Sequence, residues 1–352
     1  MKKSLLLLFI MLLAISCLLA ACGAPPVPEP EDSQEQAEGT PESENTMEPD
    51  KTNWPKTVNI STASSTGSWY YVGGAMCTLM EDYMGIKGVP QASAGAAENA
   101  RLVGTGDSQI GMVTSETLTI AYNGEGIFNG EKYDNLRAVY ALFPLDMMVI
   151  TLPDSTINSF ADIMGKKVGV GPAGSGTQIM AEMICNSLGY SFNDFNAMNL
   201  SFTELREGLA DGTVDAIFYA ATNPVSGLME NDSTTGLKFV AFSEEELSTI
   251  MTAYPAFIAT TVPGGTYSSV PDDYNTVGGS TVLVVDKDAD VDFIYNLTKN
   301  LDQHMAEYSD VHATISMISN ETALDAIPIP MHEGAYKYFE ETSHPKLNNV
   351  SK

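Results

Sequence analysis

Positive charge is scarce in this chain. Its 17 Lys and Arg stand against 45 Asp and Glu, a formal net charge of −28 at pH 7. That balance argues against a nucleic-acid partner and against electrostatic attachment to anionic lipid. Arginine is rarest, with only Arg101, Arg137 and Arg206. Arg206 falls on the polar face of a predicted helix and Arg137 opens a predicted strand. Arg101 follows Glu98 at helical spacing and reads as half of a surface pair. None is expected to clamp a ligand. Of the four cysteines, Cys17 and Cys22 fall in the N-terminal segment; the remaining two, Cys77 and Cys185, are too few for a disulfide scaffold and lack metal-site spacing. Cys77 and Cys185 lie in apolar helical patterns and read as buried free thiols. His304, His312 and His332 have no Cys or acidic motif at ligand spacing beside them and read as surface residues. No HExxH or GxSxG occurs, and nothing brings a nucleophile to a base. Neither enzymatic activity, a metal nor a cofactor is expected. Gly169-Val170-Gly171-Pro172-Ala173-Gly174 does spell G-x-G-x-x-G after a strand. The next strand, 197–201, lacks the acidic residue that would hold a ribose, and Pro172 removes a backbone donor, so a dinucleotide site is set aside. With no Lys between Gly176 and Thr177, the loop is not a P-loop either.

Long apolar runs are also few. One run, Leu5 to Ala21, follows Lys2 and Lys3, the pattern of a secretory signal. A membrane-spanning helix needs about 20 apolar residues, and Cys17 interrupts this one. Leu19-Ala20-Ala21-Cys22-Gly23 resembles the lipobox of bacterial lipoproteins. That resemblance implies a signal peptide over 1–21, removed to leave a lipidated Cys22 and an extracytoplasmic chain anchored to the cell membrane. Residues 22–53 hold Pro25, Pro26, Pro28 and Pro30, then a train of acidic residues, with almost nothing apolar. Such a segment buries too little surface to offset its ordering entropy, and proline and charge keep it extended. It reads as a disordered acidic tether.

From Trp54 onward about 300 residues remain, enough for two lobes with real cores. Strand-like and helix-like patterns alternate, which predicts an α/β architecture. Strands are predicted at 58–62, 108–113, 136–142, 147–151, 167–170, 197–201, 214–219 and 281–285. Helices are predicted at 71–84, 96–104, 177–188, 200–209 and 291–308. Three strand-to-helix junctions are rich in small residues: 64–70, 171–177 and 219–224. Ligands of open α/β sheets bind beyond the carboxyl ends of strands. Helix starts there offer unpaired N–H donors and a positive dipole end. An acidic protein can therefore hold an anionic ligand in a local nest of donors, with hydroxyls of Ser65, Thr66, Ser175 and Thr177 to assist.

Together the loops resemble the TAXI family of receptors for TRAP transporters over nearly the whole body. Ser65-Thr66-Gly67-Ser68-Trp69-Tyr70 is similar to the family's glycine-rich loop ending in two aromatics. Ser93-Ala94-Gly95-Ala96-Ala97-Glu98-Asn99 is similar to its small-residue turn, and Gly171-Pro172-Ala173-Gly174-Ser175-Gly176-Thr177 to its Gly-Pro-x-Gly-Ser-Gly-Thr loop. Residues 209–218 and 330–338 fit two further segments. The resemblance implies a two-lobed periplasmic-binding fold, type II-like, with the ligand cleft between lobes. Lobe 1 would be 54–148 plus 279–352 and lobe 2 149–278, the chain crossing near Met148 and returning near Gly278. It implies a site of Ser65, Thr66, Trp69, Tyr70, Thr114, Ser115, Ser175, Gly176, Thr177, Phe218, Tyr219 and Ala220. The family often has Gln where Thr114 stands, which alters the side-chain end of the ligand. The implied function is delivery of a small carboxylate or amino acid, glutamate-like or dicarboxylate, to TRAP permease subunits. A substrate-binding lipoprotein of an ABC importer, and a ligand-sensing lipoprotein without transport, are the alternatives.

Overall fold

The computed structural model describes residues 51–352. The signal segment 1–21, Cys22 and the tether as far as residue 50 lie outside the described residues. The described residues form one compact unit. It opens with β1 (Thr57–Ser61), α1 (Ser68–Leu79), β2 (Lys87–Gln91), α2 (Ala96–Gly104), β3 (Ile110–Thr114) and α3 (Ser115–Asn123). The long strand β4 (Leu136–Thr151) follows. Next come β5 (Lys167–Gly169), α4 (Gly176–Ser187), β6 (Asn196–Met198), α5 (Phe202–Asp211), β7 (Ala216–Ala221) and α6 (Ser226–Thr234). Then β8 (Lys238–Phe239), α7 (Glu244–Ala253) and β9 (Ile258–Val262) lead to a second long strand, β10 (Tyr274–Asp286). Two helices, α8 (Val291–His304) and α9 (Glu333–Glu341), close the chain.

The sheet runs β2-β1-β3-β10-β4-β7-β5-β6. β1 lies parallel to β2 and β3, and β5 lies parallel to β6 and β7. Between these groups β10 and β4 run antiparallel to each other and to their outer neighbours. β3, Ile-Gly-Met-Val-Thr, is buried throughout, as a strand covered on both faces must be. α8 turns Phe293, Ile294, Leu297 and Leu301 inward at helical spacing.

The predicted pair of strands 136–142 and 147–151 is one strand. Pro144 has no N–H and Asp146 interrupts the apolar run. β4 nevertheless stays paired with β10 across that stretch, Pro144 opposite Ser280 and Asp146 opposite Gly278, with register shifts between Thr281 and Val282 and between Leu283 and Val284. Pro144 is exposed there, and its carbonyl accepts from Thr222 Oγ1 at 2.6 Å. The predicted helix 71–84 begins earlier, at Ser68, and widens into a π turn over Met80–Met84. β2, α3, α6, β8, α7, β9 and α9 have no counterpart among the predicted elements. Cys77 and Cys185, the free cysteines among the described residues, are buried.

Candidate functional site

The carboxyl ends of β1, β2 and β3 share one edge of their part of the sheet, as those of β5, β6 and β7 share one edge of theirs. At the first edge, β3 turns directly into α3. Thr114 is the cap of that helix: its Oγ1 accepts from Thr117 N at 3.4 Å and bonds Thr117 Oγ1 at 2.8 Å. Beside it, Asn99 of α2 is fully buried and clips two strand ends together, donating to Thr62 O and to Met112 O at 2.7 Å. Glu98 Oε2 accepts from Ala94 N at 2.6 Å. The run Ser93–Asn99 thus folds back on its own backbone. Arg101 consequently does not pair with Glu98. It donates to Ile127 O at 3.0 Å and lies 4.6 Å from the Phe128 ring centroid.

At the second edge, Ser175 caps α4, its Oγ accepting from Gln178 N at 3.2 Å. Gln178 Oε1 in turn accepts from Gly174 N at 2.6 Å. The two edges meet. Ala97 N at the start of α2 donates to Gly174 O at 3.3 Å. Gly176 lies so close to Thr114 that a Cβ there would overlap the threonine side chain. The N-termini of α2, α3 and α4 therefore converge, and each contributes positive partial charge. Thr177 is buried in the first turn of α4.

Ser115 lies under β10. Its Oγ accepts from Ser280 N at 3.0 Å and bonds Glu116 Oε1 at 3.1 Å. Glu116 is fully buried, and burial pushes its carboxyl up to about 7, against lowering by bonds from its own backbone and from Ser115 and Thr114. Ser65 and Thr66 are exposed on the loop after β1, where Ser64 Oγ and Thr66 Oγ1 lie 3.1 Å apart. Trp69 and Tyr70 are half-buried in the first turn of α1, and Trp69 packs on the core. α1 has no side-chain cap at its Gly67 start, so its first N–H groups have no side-chain oxygen at that position.

The β7 residues are placed differently. Phe218 packs edge-on against Phe160 and Tyr219 against Phe202, on opposite faces of the strand. Ala220 pairs with Met147 of β4. Beyond them Asn223 Nδ2 donates to Asp146 Oδ2 at 2.9 Å, and Tyr267 OH donates to Asn223 Oδ1 at 2.6 Å. Burial raises the Asp146 carboxyl. Glu116, Asp146, Asn223 and Thr281 escaped the sequence reading. The Gly278-Gly279 pair inside an apolar strand was a usable signal, since such glycines mark close approach.

His332, read as a surface residue, is buried. It caps α9, Nδ1 accepting from Gly334 N at 3.1 Å, with Nε2 3.1 Å from Ala289 O. Desolvation holds it below the usual imidazole range. Arg137 donates to Asp134 O and Leu136 O, and Arg206 to Gly227 O. A recess of 300 Å³ lined by Thr151, Leu152, Asp154, Val214 and Asp215 lies at the opposite end of β7 from the converging helices.

Two groups of parallel strands, joined through two long antiparallel strands with helix N-termini gathered at their carboxyl edges, define a periplasmic-binding-protein fold. A solved protein of Bordetella bronchiseptica RB50 shares it at a TM-score of 0.53 and 14% identity, covering 82% of this chain and 98% of that one. The periplasmic aliphatic sulphonate binding protein of Escherichia coli aligns at TM-score 0.45 and 12% identity, over 84% and 93% of the two chains. A putative L-cystine ABC transporter protein of Listeria monocytogenes aligns at 0.46 and 14%, over 74% and 94%. The chain belongs to the NMT1-like family, which matches residues 60–342. It is a solute-binding protein and not an enzyme.

That membership corrects the TAXI assignment, and with it the TRAP transporter. The motifs behind the resemblance serve the fold. Ser175 and Gln178 close a helix start, Asn99 clips strand ends, and Gly176 admits Thr114.

Proposed function

We propose that this protein is the extracytoplasmic receptor of an ABC-type importer, capturing a small solute that carries a carboxylate or sulfonate. The NMT1-like match supports that reading. The observation that carries the anionic group is the convergence of the α2, α3 and α4 N-termini, tied by the Ala97–Gly174 bond. Backbone N–H groups and dipole ends stabilise an anion without a basic side chain, and the three arginines are all bonded to carbonyls elsewhere. In this proposal 54–148 plus 279–352 form one lobe and 149–278 the other. Ser65, Thr66, Trp69, Tyr70, Thr114, Ser115, Ser175, Gly176 and Thr177 line the cleft, while Phe218, Tyr219 and Ala220 support its floor. Closure over the solute would present the membrane partner with a new surface. Cys22 carries the lipid, and 22–53 the tether.

The test is a thermal-shift screen of sulfonates, carboxylates and amino acids, since a bound solute stabilises the folded state by mass action. At a concentration 100 times Kd the gain is about 2.7 kcal/mol. A hit should be taken up by cells carrying the gene and not by a deletion strain. No stabilisation by any anion would overturn the solute class, and unchanged uptake would overturn the transport role.

A further inference from the structure

Two buried polar atoms near the start of α3 lack partners. Glu116 Oε1 is bonded by Ser115, but Oε2 has no partner although the side chain is fully buried. Thr281 Oγ1 is buried and unpartnered as well. They share one face of β10. A Cβ on Gly279 would overlap Glu116 Oε1, so the carboxyl lies on the Gly279 face of β10. Side chains alternate along a strand, so Thr281 is directed to that same face. In register Thr281 stands opposite Thr114, the α3 cap that packs on Gly176. Folded proteins leave few such atoms unpaired, because the lost hydration is not replaced. Among the described residues no basic side chain bonds Glu116.

We propose that Glu116 selects solutes bearing a protonated amino group, with Thr281 Oγ1 as a second acceptor. The inference rests on the capture reading above and narrows its solute to a small zwitterion, an amino carboxylate or an amino sulfonate. An ammonium offers three donors and no acceptor, the complement of two orphan acceptors on one strand face. The acid end of the same molecule would meet the helix N-termini. Ser115 Oγ already serves Oε1, which leaves Oε2 for the solute. A neutral solute would leave that oxygen unpaired, and the site would discriminate against it for that reason.

The test uses the mature chain and matched compounds: taurine against ethanesulfonate, glutamate against glutarate, and ethylamine or butylamine as amines without an acid. Affinities are measured by calorimetry for the wild type, Glu116→Gln and Thr281→Val. The wild type should bind each zwitterion about 10- to 100-fold more tightly than its deaminated partner, the worth of a charge-assisted bond. Glu116→Gln should erase that ratio, and Thr281→Val should reduce it. Equal wild-type affinity for zwitterion and deaminated partner would overturn the inference and leave the anion reading standing. So would an intact ratio in Glu116→Gln, the result expected if a buried water alone bridges the two atoms. Amines binding without an acid group would sustain Glu116 and overturn the anion reading. No binding in any arm would overturn both. Should Glu116→Gln not fold, the wild-type ratios and Thr281→Val still decide.

Discussion

Glu116 ionises in the unfolded chain near 4.5 and in the folded chain near 7. A carboxyl raised in this way binds its proton more tightly when folded. Its contribution to stability is complete below pH 4.5 and disappears as pH climbs through about 7. The shift corresponds to roughly 3 kcal/mol between those limits. Unliganded wild type should therefore lose about that much stability, relative to Glu116→Gln, between pH 4.5 and 7.5, as read by urea titration. A flat difference between the two proteins would show that the carboxyl is hydrated and ionised. Taking the difference matters, because Asp162, Glu204 and Asp211 have lowered values and act in the opposite direction. None of this was legible in the sequence. Glu116 follows Ser115 as any acidic residue follows a helix start, and its burial depends on Gly279, more than 160 residues later in the chain. His332 escaped for a related reason: it caps the adjacent α9, but the Ala289 carbonyl it meets lies 43 residues away in sequence.

At the level of elements, local chemistry was readable and long-range pairing was not. The S-x-x-E pattern at Ser201–Glu204 closes a capping box on α5, and Ser243–Glu246 does so on α7. The acidic run at Glu244 is thus a helix start. β4 defeated the same approach because Pro144 is a local breaker, while the ladder to β10 that carries the strand past it is not local. Ser175 joins the two levels, as both a candidate ligand donor and the cap of α4. Ser175→Ala should cost about 1 kcal/mol of unfolding free energy as a lost cap. If Ser175 also touches the solute, affinity should fall by more than the stability loss explains, whereas Ser175→Gly should restore most of the stability and none of the affinity. Identical affinities in all three proteins would assign Ser175 to the helix alone.

Across the whole molecule, the alternation of strands and helices was enough to give the fold class, and the glycine-rich junctions gave the edge of the sheet where helix starts gather. The transporter type was not readable, because those junctions record what the sheet requires. Among the described residues no helix is long and apolar enough to cross a membrane, so membrane attachment rests on the proposed lipid at Cys22. Cys22→Ala should leave solute affinity unchanged while the protein moves from the membrane fraction to the soluble one. Retention on membranes would assign the attachment to the apolar run before Cys22.

The two remaining thiols sit one on either side of the long strands, Cys77 on α1 and Cys185 on α4. Burial pushes both up to about 12, so neither forms appreciable thiolate while its surroundings stay packed. An alkylating reagent can reach each sulfur only through opening of its own neighbourhood. The protein thus carries two native clocks, and their rates, read separately by peptide mass, would tell whether the halves of the sheet loosen together or one before the other.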